Sequence, residues 1–278
     1  MLLAKITKQF NGNIECKDFL DNPTIQHTVL LLNGAPNEKE KEERVLIFNE
    51  NCSKTILLFP PSMPLFGYTL IYKNLSQYLS DKYKVYMFTH FDTQDLLEDY
   101  VNQILSYNLN DVILMGYSFG GSIAFEIAHK LVQKNIRIKA IIFIDAYVAH
   151  KNRFKHLNAD EDEYLTRIIT DYLQKRSSQQ MFRYNDSVTQ ALIKSYKQYH
   201  TLTKHINTTL KKLDVNIYQM QVDEPVKWIK DSRNEWSKLC RNYVVTNIVG
   251  DHSEILDVKN IKQNAETLIS VLEEVELT

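Results

Sequence analysis

The sequence predicts an α/β fold: a mostly parallel sheet covered by helices on both faces, with a helical lid insertion. Three observations carry that expectation. From Arg44 onward, short apolar runs alternate with segments of helical period, the pattern of strands buried on both faces and joined by crossover helices. One run, Val112–Met115, turns through Gly116, Tyr117, Ser118, Phe119, Gly120 and Gly121 straight into a helical segment, so a serine stands at a strand-to-helix corner. A long stretch without strands, from Ala146 to about Leu213, breaks the alternation. Insertions above the carboxyl ends of parallel strands are where α/β proteins keep lids.

Residues 1–34 read as a separate helical piece. Leu2, Leu3, Ile6 and Phe10 share one helical face, Asn11–Gly12 breaks it, and Asn22–Pro23–Thr24 opens a second short helix. Residues 35–43 lie in a polar, charged run that includes Pro36, which is linker chemistry. A large domain is therefore expected over 44–278, with the lid at about 147–213. Its strands are expected at Val45–Phe48, Thr55–Phe59, Lys84–Phe88, Val112–Met115, Ala140–Ile144, Asn216–Gln221 and Tyr243–Ile248. Helices are expected at Thr69–Leu79, Thr93–Ser106, Gly120–Lys134 and Val258–Glu274. Within the lid, Asp160–Lys175 and Ser187–Ile206 read as long polar helices rich in Tyr, Gln and Lys.

Composition excludes several classes of function. With 33 basic and 34 acidic residues the chain of 278 residues has a net charge of −1, so no overall field draws it to nucleic acid or to an anionic membrane. Cys16, Cys52 and Cys240 are scattered and lack metal-ligand spacing. They read as free thiols in a reducing compartment. The apolar run at the start is too short for a signal peptide, and no segment approaches a membrane span. A cytoplasmic protein without a metal is expected.

The corner carries the chemistry. Gly116 and Gly120 flank Ser118 at two residues on either side, in a chain with only seven glycines. Such a turn must be sharp enough to hold the serine oxygen clear of the sheet. A serine hydroxyl is a poor nucleophile at neutral pH, so it requires a histidine base oriented by a carboxylate, in the chain order serine, acid, histidine. His129 lies on the helix well past the corner, and His150, His156, His200 and His205 fall in or beside the lid. His252 follows the last strand on a glycine-bearing loop, where a base above the sheet must stand. Two aspartates compete as the acid: Asp145 closes the apolar strand after the corner helix, and Asp223 follows the next strand. Charge on a substrate oxygen needs two N–H donors, each worth about 3–4 kcal/mol. The amide of Phe119 is one, at the positive end of the helix. Pro60 and Pro61 have no N–H, so Ser62 is the first available donor after Thr55–Phe59.

From about residue 44 to the end, the chain resembles the chain-terminating (type I) thioesterase domains of non-ribosomal peptide synthetases, within the α/β-hydrolase fold. The resemblance rests on Phe59–Pro60–Pro61, Gly67–Tyr68, the run Tyr72 to Ser76, Gly116 to Gly121 with Ala124–Phe125–Glu126, Ile144 to Tyr147, and Gly250–Asp251–His252. It implies a triad of Ser118, Asp145 and His252, with Phe119 and Ser62 as oxyanion donors. It also implies release of an acyl or peptidyl chain, by hydrolysis or macrocyclisation, from the phosphopantetheine arm of a carrier domain. No cofactor would be bound by the domain itself. The stand-alone (type II) editing thioesterases instead carry the acid near Asp223, and a general carboxylester hydrolase would need no carrier. Within residues 1–34, Ala4 to Phe10, Phe19 to Asp21 and Asn22 to Ile25 resemble the last helices of a peptidyl carrier domain. The serine that bears the arm would then lie before Met1, in a larger synthetase that makes an antibiotic or other secondary metabolite.

Overall fold

A computed structural model of the chain describes residues 44–61, 68–89, 95–148, 211–223, 225 and 227–278, together with Ile6, Gln9, Ile14, Ile25–Leu32 and Ile206. The chain divides into two compact units, one of Met1–Glu43 with Leu165–Ile193 and one of Arg44–Tyr164 with Lys194–Thr278. In the first, the described residues include α1 (Ile25–Leu32), which begins just after Pro23. The second holds the sheet.

Seven strands form that sheet: β1 (Val45–Phe48), β2 (Lys54–Phe59), β3 (Tyr83–Phe88), β4 (Asp111–Tyr117), β5 (Arg137–Ile144), β6 (Asn216–Val222) and β7 (Tyr243–Ile248), in the spatial order β1-β3-β2-β4-β5-β6-β7. β1 pairs antiparallel with β3 at one edge, and every other pairing is parallel. Helices α2 (Tyr68–Gln77), α3 (Leu96–Ser106), α4 (Phe119–Gln133), α5 (Lys227–Leu239) and α6 (Ile261–Leu277) cover it.

The strand sequences explain the architecture. β4 and β5 are central, and from Val112 to Tyr117 and Ala140 to Ile144 every residue is buried, as both faces of a parallel strand must be. Alternate residues serve opposite cores. Leu57, Phe59, Leu114 and Phe143 pack with α3, α4 and α5 on one face. Ile56, Leu58, Ile113, Met115 and Ile142 pack with α2 and α6 on the other. The parallel pairing brings the carboxyl ends of β2, β4, β5, β6 and β7 to one rim, and the strand order switches direction between β2 and β4, the place where ligands bind in open sheets of this kind.

β5 begins at Arg137, three residues before the expected Ala140, and three helices differ from the sequence reading. No helix was expected between β6 and β7, yet α5 fills that crossover. Among the described residues its buried face includes Ile229, Ser232, Trp236 and Leu239, in a stretch rich in Lys, Asp, Asn and Glu. Trp236 alone supplies much of the packing, edge-on to Phe125 with ring centroids 5.0 Å apart and tilted on Phe143 at 4.6 Å. α3 starts at Leu96, three residues later than expected, because Asp95 caps it by accepting from the Glu98 N–H at 3.1 Å. α6 starts at Ile261, so the loop before it is longer than expected. Most of the lid, residues 149–205 and 207–210, lies outside the described residues, as do most of residues 1–34 and the linker. No helix among the described residues is long and apolar enough to cross a membrane.

At the opposite rim, Glu276 of α6 ties two strand starts together, with Oε2 3.1 Å from Lys54 Nζ and 3.2 Å from Lys139 Nζ. Partial burial by itself would raise its carboxyl pKa, but the two ammoniums hold it below the ordinary value of 4.5. A depressed folded-state pKa contributes stability that is present above the unfolded value and lost as pH falls through the folded one. Glu276→Gln should therefore cost about 1 kcal/mol near pH 7, and the difference from the native chain should vanish below the carboxylate range. Urea titrations of both chains across pH 2–7 check this.

Candidate active site

Ser118 makes the turn between β4 and α4 alone. Its backbone sits at φ 55° and ψ −122°, a conformation that costs a non-glycine residue about 1–3 kcal/mol. Neighbouring backbone holds it there: the Ser118 N–H donates to the Ile144 carbonyl at 2.9 Å, and the Gly121 N–H donates to the Ser118 carbonyl at 3.2 Å. The flanking glycines are required by contact. A Cβ on Gly116 would overlap the backbone of Gly120, and one on Gly120 would stand 2.5 Å from the Phe59 carbonyl oxygen and 2.9 Å from that of Pro60. The left-handed dihedral falls on the serine itself, and Gly116 and Gly120 allow the strand end and helix start to close around it.

The register of β4 and β5 sets Asp145 beside it. Tyr117 pairs with Ile144, so Ser118 and Asp145 are the next residues on neighbouring strands. Asp145 also turns through a positive φ, 47°, and its N–H donates to the carbonyl of Met220 in β6 at 2.7 Å. Side chains from three elements then pin the chain that leaves β5. Gln219 Nε2 donates to the Ala146 carbonyl at 3.2 Å, Ser122 Oγ donates to the Tyr147 carbonyl at 2.5 Å, and the Val148 N–H donates to Ser232 Oγ at 3.0 Å. The carboxylate is fully buried.

His252 comes from beyond β7, three strands from β4, or roughly 14 Å at the spacing of strands in a sheet. The loop 249–260 spans that gap. Gly250 bends it with φ 97°, where a Cβ would overlap the Asn260 amide. Asn264, buried in the first turns of α6, fastens the loop's start and middle: its Oδ1 accepts from the Val249 N–H at 2.9 Å, and its Nδ2 donates to the Val249 carbonyl at 2.9 Å and the Ile255 carbonyl at 2.7 Å. Between those anchors, His252 Nδ1 lies 2.6 Å from Asp145 Oδ2 and Nε2 lies 3.1 Å from Ser118 Oγ. A carboxylate only accepts, so Nδ1 carries the hydrogen and Nε2 is left to take a proton from the serine.

The structure thus brings Ser118, Asp145 and His252 into one hydrogen-bonded run. Phe119 is the first residue of α4, so its amide stands at the positive end of the helix. Tyr72 donates its hydroxyl to the Phe59 carbonyl at 3.2 Å and fixes the exit of β2 against the corner, but Ser62 lies outside the described residues. Asp223 is exposed past the end of β6. His129 packs its ring edge-on to Phe125, and burial pushes its pKa below the ordinary histidine value. His150, His156, His200, His205 and the lid tyrosines Tyr164, Tyr172, Tyr196 and Tyr199 lie outside the described residues. Among the described residues no group of His, Cys, Asp and Glu is arranged to hold a metal. Sequence reasoning missed Asn264, Gln219, Ser122 and Ser232. Asn264 left a trace as a lone polar residue on the apolar face Ile261, Ala265, Leu268, and Gln219 as a polar residue in an apolar strand. The two serines left none.

A doubly covered parallel sheet with this run at the carboxyl ends of its strands has the architecture of an α/β-hydrolase that works through a serine. The chain belongs to the thioesterase domain family, whose model matches residues 54–272. It is 26% identical over 273 residues to surfactin synthase subunit 3 of Bacillus subtilis (strain 168), and 23% identical over 292 residues to gramicidin S synthase 2 of Brevibacillus brevis. These matches take in 97% and 96% of the chain but only 20% and 6% of the synthases, so the chain spans a fifth or less of the length of these relatives. Among solved structures, it superposes on the surfactin thioesterase domain SrfTE, described as cyclising a lipopeptide antibiotic, with a TM-score of 0.60 and 25% identity over 83% of this chain and 96% of that one. It shares its fold with the NocB thioesterase domain at a TM-score of 0.63 and 14% identity, over 83% of this chain and 99% of that one.

Asn264→Ala should lower stability by about 2–3 kcal/mol, because it leaves a buried carbonyl of Ile255 and part-buried backbone groups of Val249 without this partner. Denaturant unfolding of the variant checks this.

Proposed function

We propose that the chain releases an acyl or peptidyl group from the phosphopantetheine thioester of a peptidyl carrier domain in non-ribosomal peptide synthesis. The observation that carries this reading is the run from Ser118 Oγ through His252 to buried Asp145, in a chain of the thioesterase domain family. The relatives named above belong to peptide synthases. Their likeness extends over nearly the whole chain, which supports a carrier remnant in residues 1–34 and a carrier as the partner. The reading includes a cytoplasmic setting, in keeping with the free thiols of Cys52 and Cys240.

In this reading His252 Nε2 takes the Ser118 proton as Oγ attacks the thioester carbonyl. The oxyanion forms against the amide of Phe119 and, from the loop after Pro61, that of Ser62. Collapse of the tetrahedral intermediate breaks the carbon–sulfur bond, the imidazolium returns its proton to the departing pantetheine thiol, and an ester remains on Ser118. His252 then deprotonates water or a nucleophile within the peptide, which attacks the ester and frees the product as an acid or a ring. Asp145 holds the imidazole tautomer and stabilises its charged form. The engagement of His252 by Asp145, with Asp223 exposed, favours the chain-terminating reading over the editing one.

Release kinetics with a peptidyl pantetheine thioester test the assignment. Ser118→Ala should lower turnover by on the order of 10⁶ and Asp145→Ala by about 10⁴, by analogy with serine protease triads, while Asp223→Ala stays within a fewfold of the native chain. Retention of activity in Ser118→Ala, or loss in Asp223→Ala with Asp145→Ala active, would contradict it.

A further inference from the structure

Asn264 fixes the base loop at Val249 and Ile255, yet His252 stands between those anchors. The loop tip has a hold of its own. The Tyr117 hydroxyl donates to the backbone carbonyl of His252, and the two rings lie against each other with centroids 5.2 Å apart and planes tilted by 35°. Tyr117 is the last residue of β4 and covalently precedes Ser118. Its side chain is nearly buried, on the sheet face shared with Ile255 and Leu256 of the base loop.

These contacts close a ring of bonds. Ser118 is joined by its peptide to Tyr117, the Tyr117 hydroxyl holds the His252 backbone, and the His252 imidazole returns to Ser118 Oγ at 3.1 Å. Asp145 fixes the rotation of the imidazole through Nδ1, but a carboxylate bonded to the ring does not set the height of the histidine backbone above the strand ends. The Tyr117 hydroxyl does, and from the nucleophile's own strand. A displacement of about 1 Å between reacting groups costs on the order of a hundredfold in rate, so the length of this tether matters to proton transfer.

We propose that Tyr117 is a positioning residue for His252, setting the distance from imidazole Nε2 to Ser118 Oγ. The inference rests on the reading of His252 as the base, and it acts through that residue, without contact between the phenol and the substrate. Phenylalanine preserves the ring and the packing and removes only the hydroxyl.

The test is a double-mutant cycle of Tyr117→Phe and His252→Ala, read as kcat and KM for a peptidyl pantetheine thioester beside thermal unfolding midpoints. Tyr117→Phe should lower kcat ten- to a hundredfold, leave KM within twofold and lower the midpoint by no more than about 2–4 °C. In the His252→Ala background the same change should alter the residual rate less than twofold, since there is no base left to position. An unchanged kcat in Tyr117→Phe beside an inactive His252→Ala would overturn this proposal and leave the base assignment standing. An equal loss in both backgrounds would overturn it too, by giving Tyr117 a role independent of His252. Full activity in His252→Ala would overturn the base assignment, and this proposal with it.

Discussion

The backbone of Ser118 is the constraint on which the site depends. A single residue reverses the chain from the end of β4 into α4, in a conformation that side chains disfavour. It persists because alternatives are closed on every side. The strand below is buried from Val112 onward and paired on both edges, the Ser118 N–H is committed to Ile144, and the helix start is pressed against the carbonyls of Phe59 and Pro60 through a glycine. Strain of this kind survives when the surroundings determine the geometry more strongly than the local dihedral does. Its product is a hydroxyl held clear of the sheet at the start of a helix.

The same hydrogen bond organises the rest. Because Ser118 donates to Ile144, Ser118 and the residue after Ile144 must be neighbours, so Asp145 is delivered by sheet register and not by a flexible loop. The chain beyond Asp145 is then fastened by Gln219, Ser122 and Ser232, from β6, α4 and α5. Only His252 arrives on a loop, and that loop is fastened by Asn264 at Val249 and Ile255 and by Tyr117 between them. Polar side chains bonded to backbone thus supply the rigidity that a site on strands would have from the ladder itself.

Much of this was legible in the sequence because the signals are local. The seven strands announced themselves as apolar runs, and the corner as a serine between scarce glycines. His252 was the histidine left after position in the chain disqualified the others. Asp145 was favoured over Asp223 from the residues, as a lone aspartate closing an apolar run, and the resemblance strengthened that choice; the register of β4 with β5 places Asp145 beside Ser118. Helix α5 went unnamed although Ile229, Trp236 and Leu239 repeat at helical spacing, because the stretch between them is strongly polar. The fastening residues were hidden for a different reason. Asn264, Ser122 and Ser232 act across the fold on backbone groups, and a side chain bonded to distant backbone has no sequence spacing to betray it.

The proposed mechanism turns on a covalent ester at Ser118, formed from a thioester. Intact-mass measurement after rapid acid quench of the purified chain with a peptidyl pantetheine thioester, followed by peptide mapping, decides whether it forms. The mechanism predicts an adduct of the mass of the peptidyl group on Ser118 that appears before free product and decays as product accumulates. Product released with no adduct, or an adduct mapped to a different residue, would contradict it.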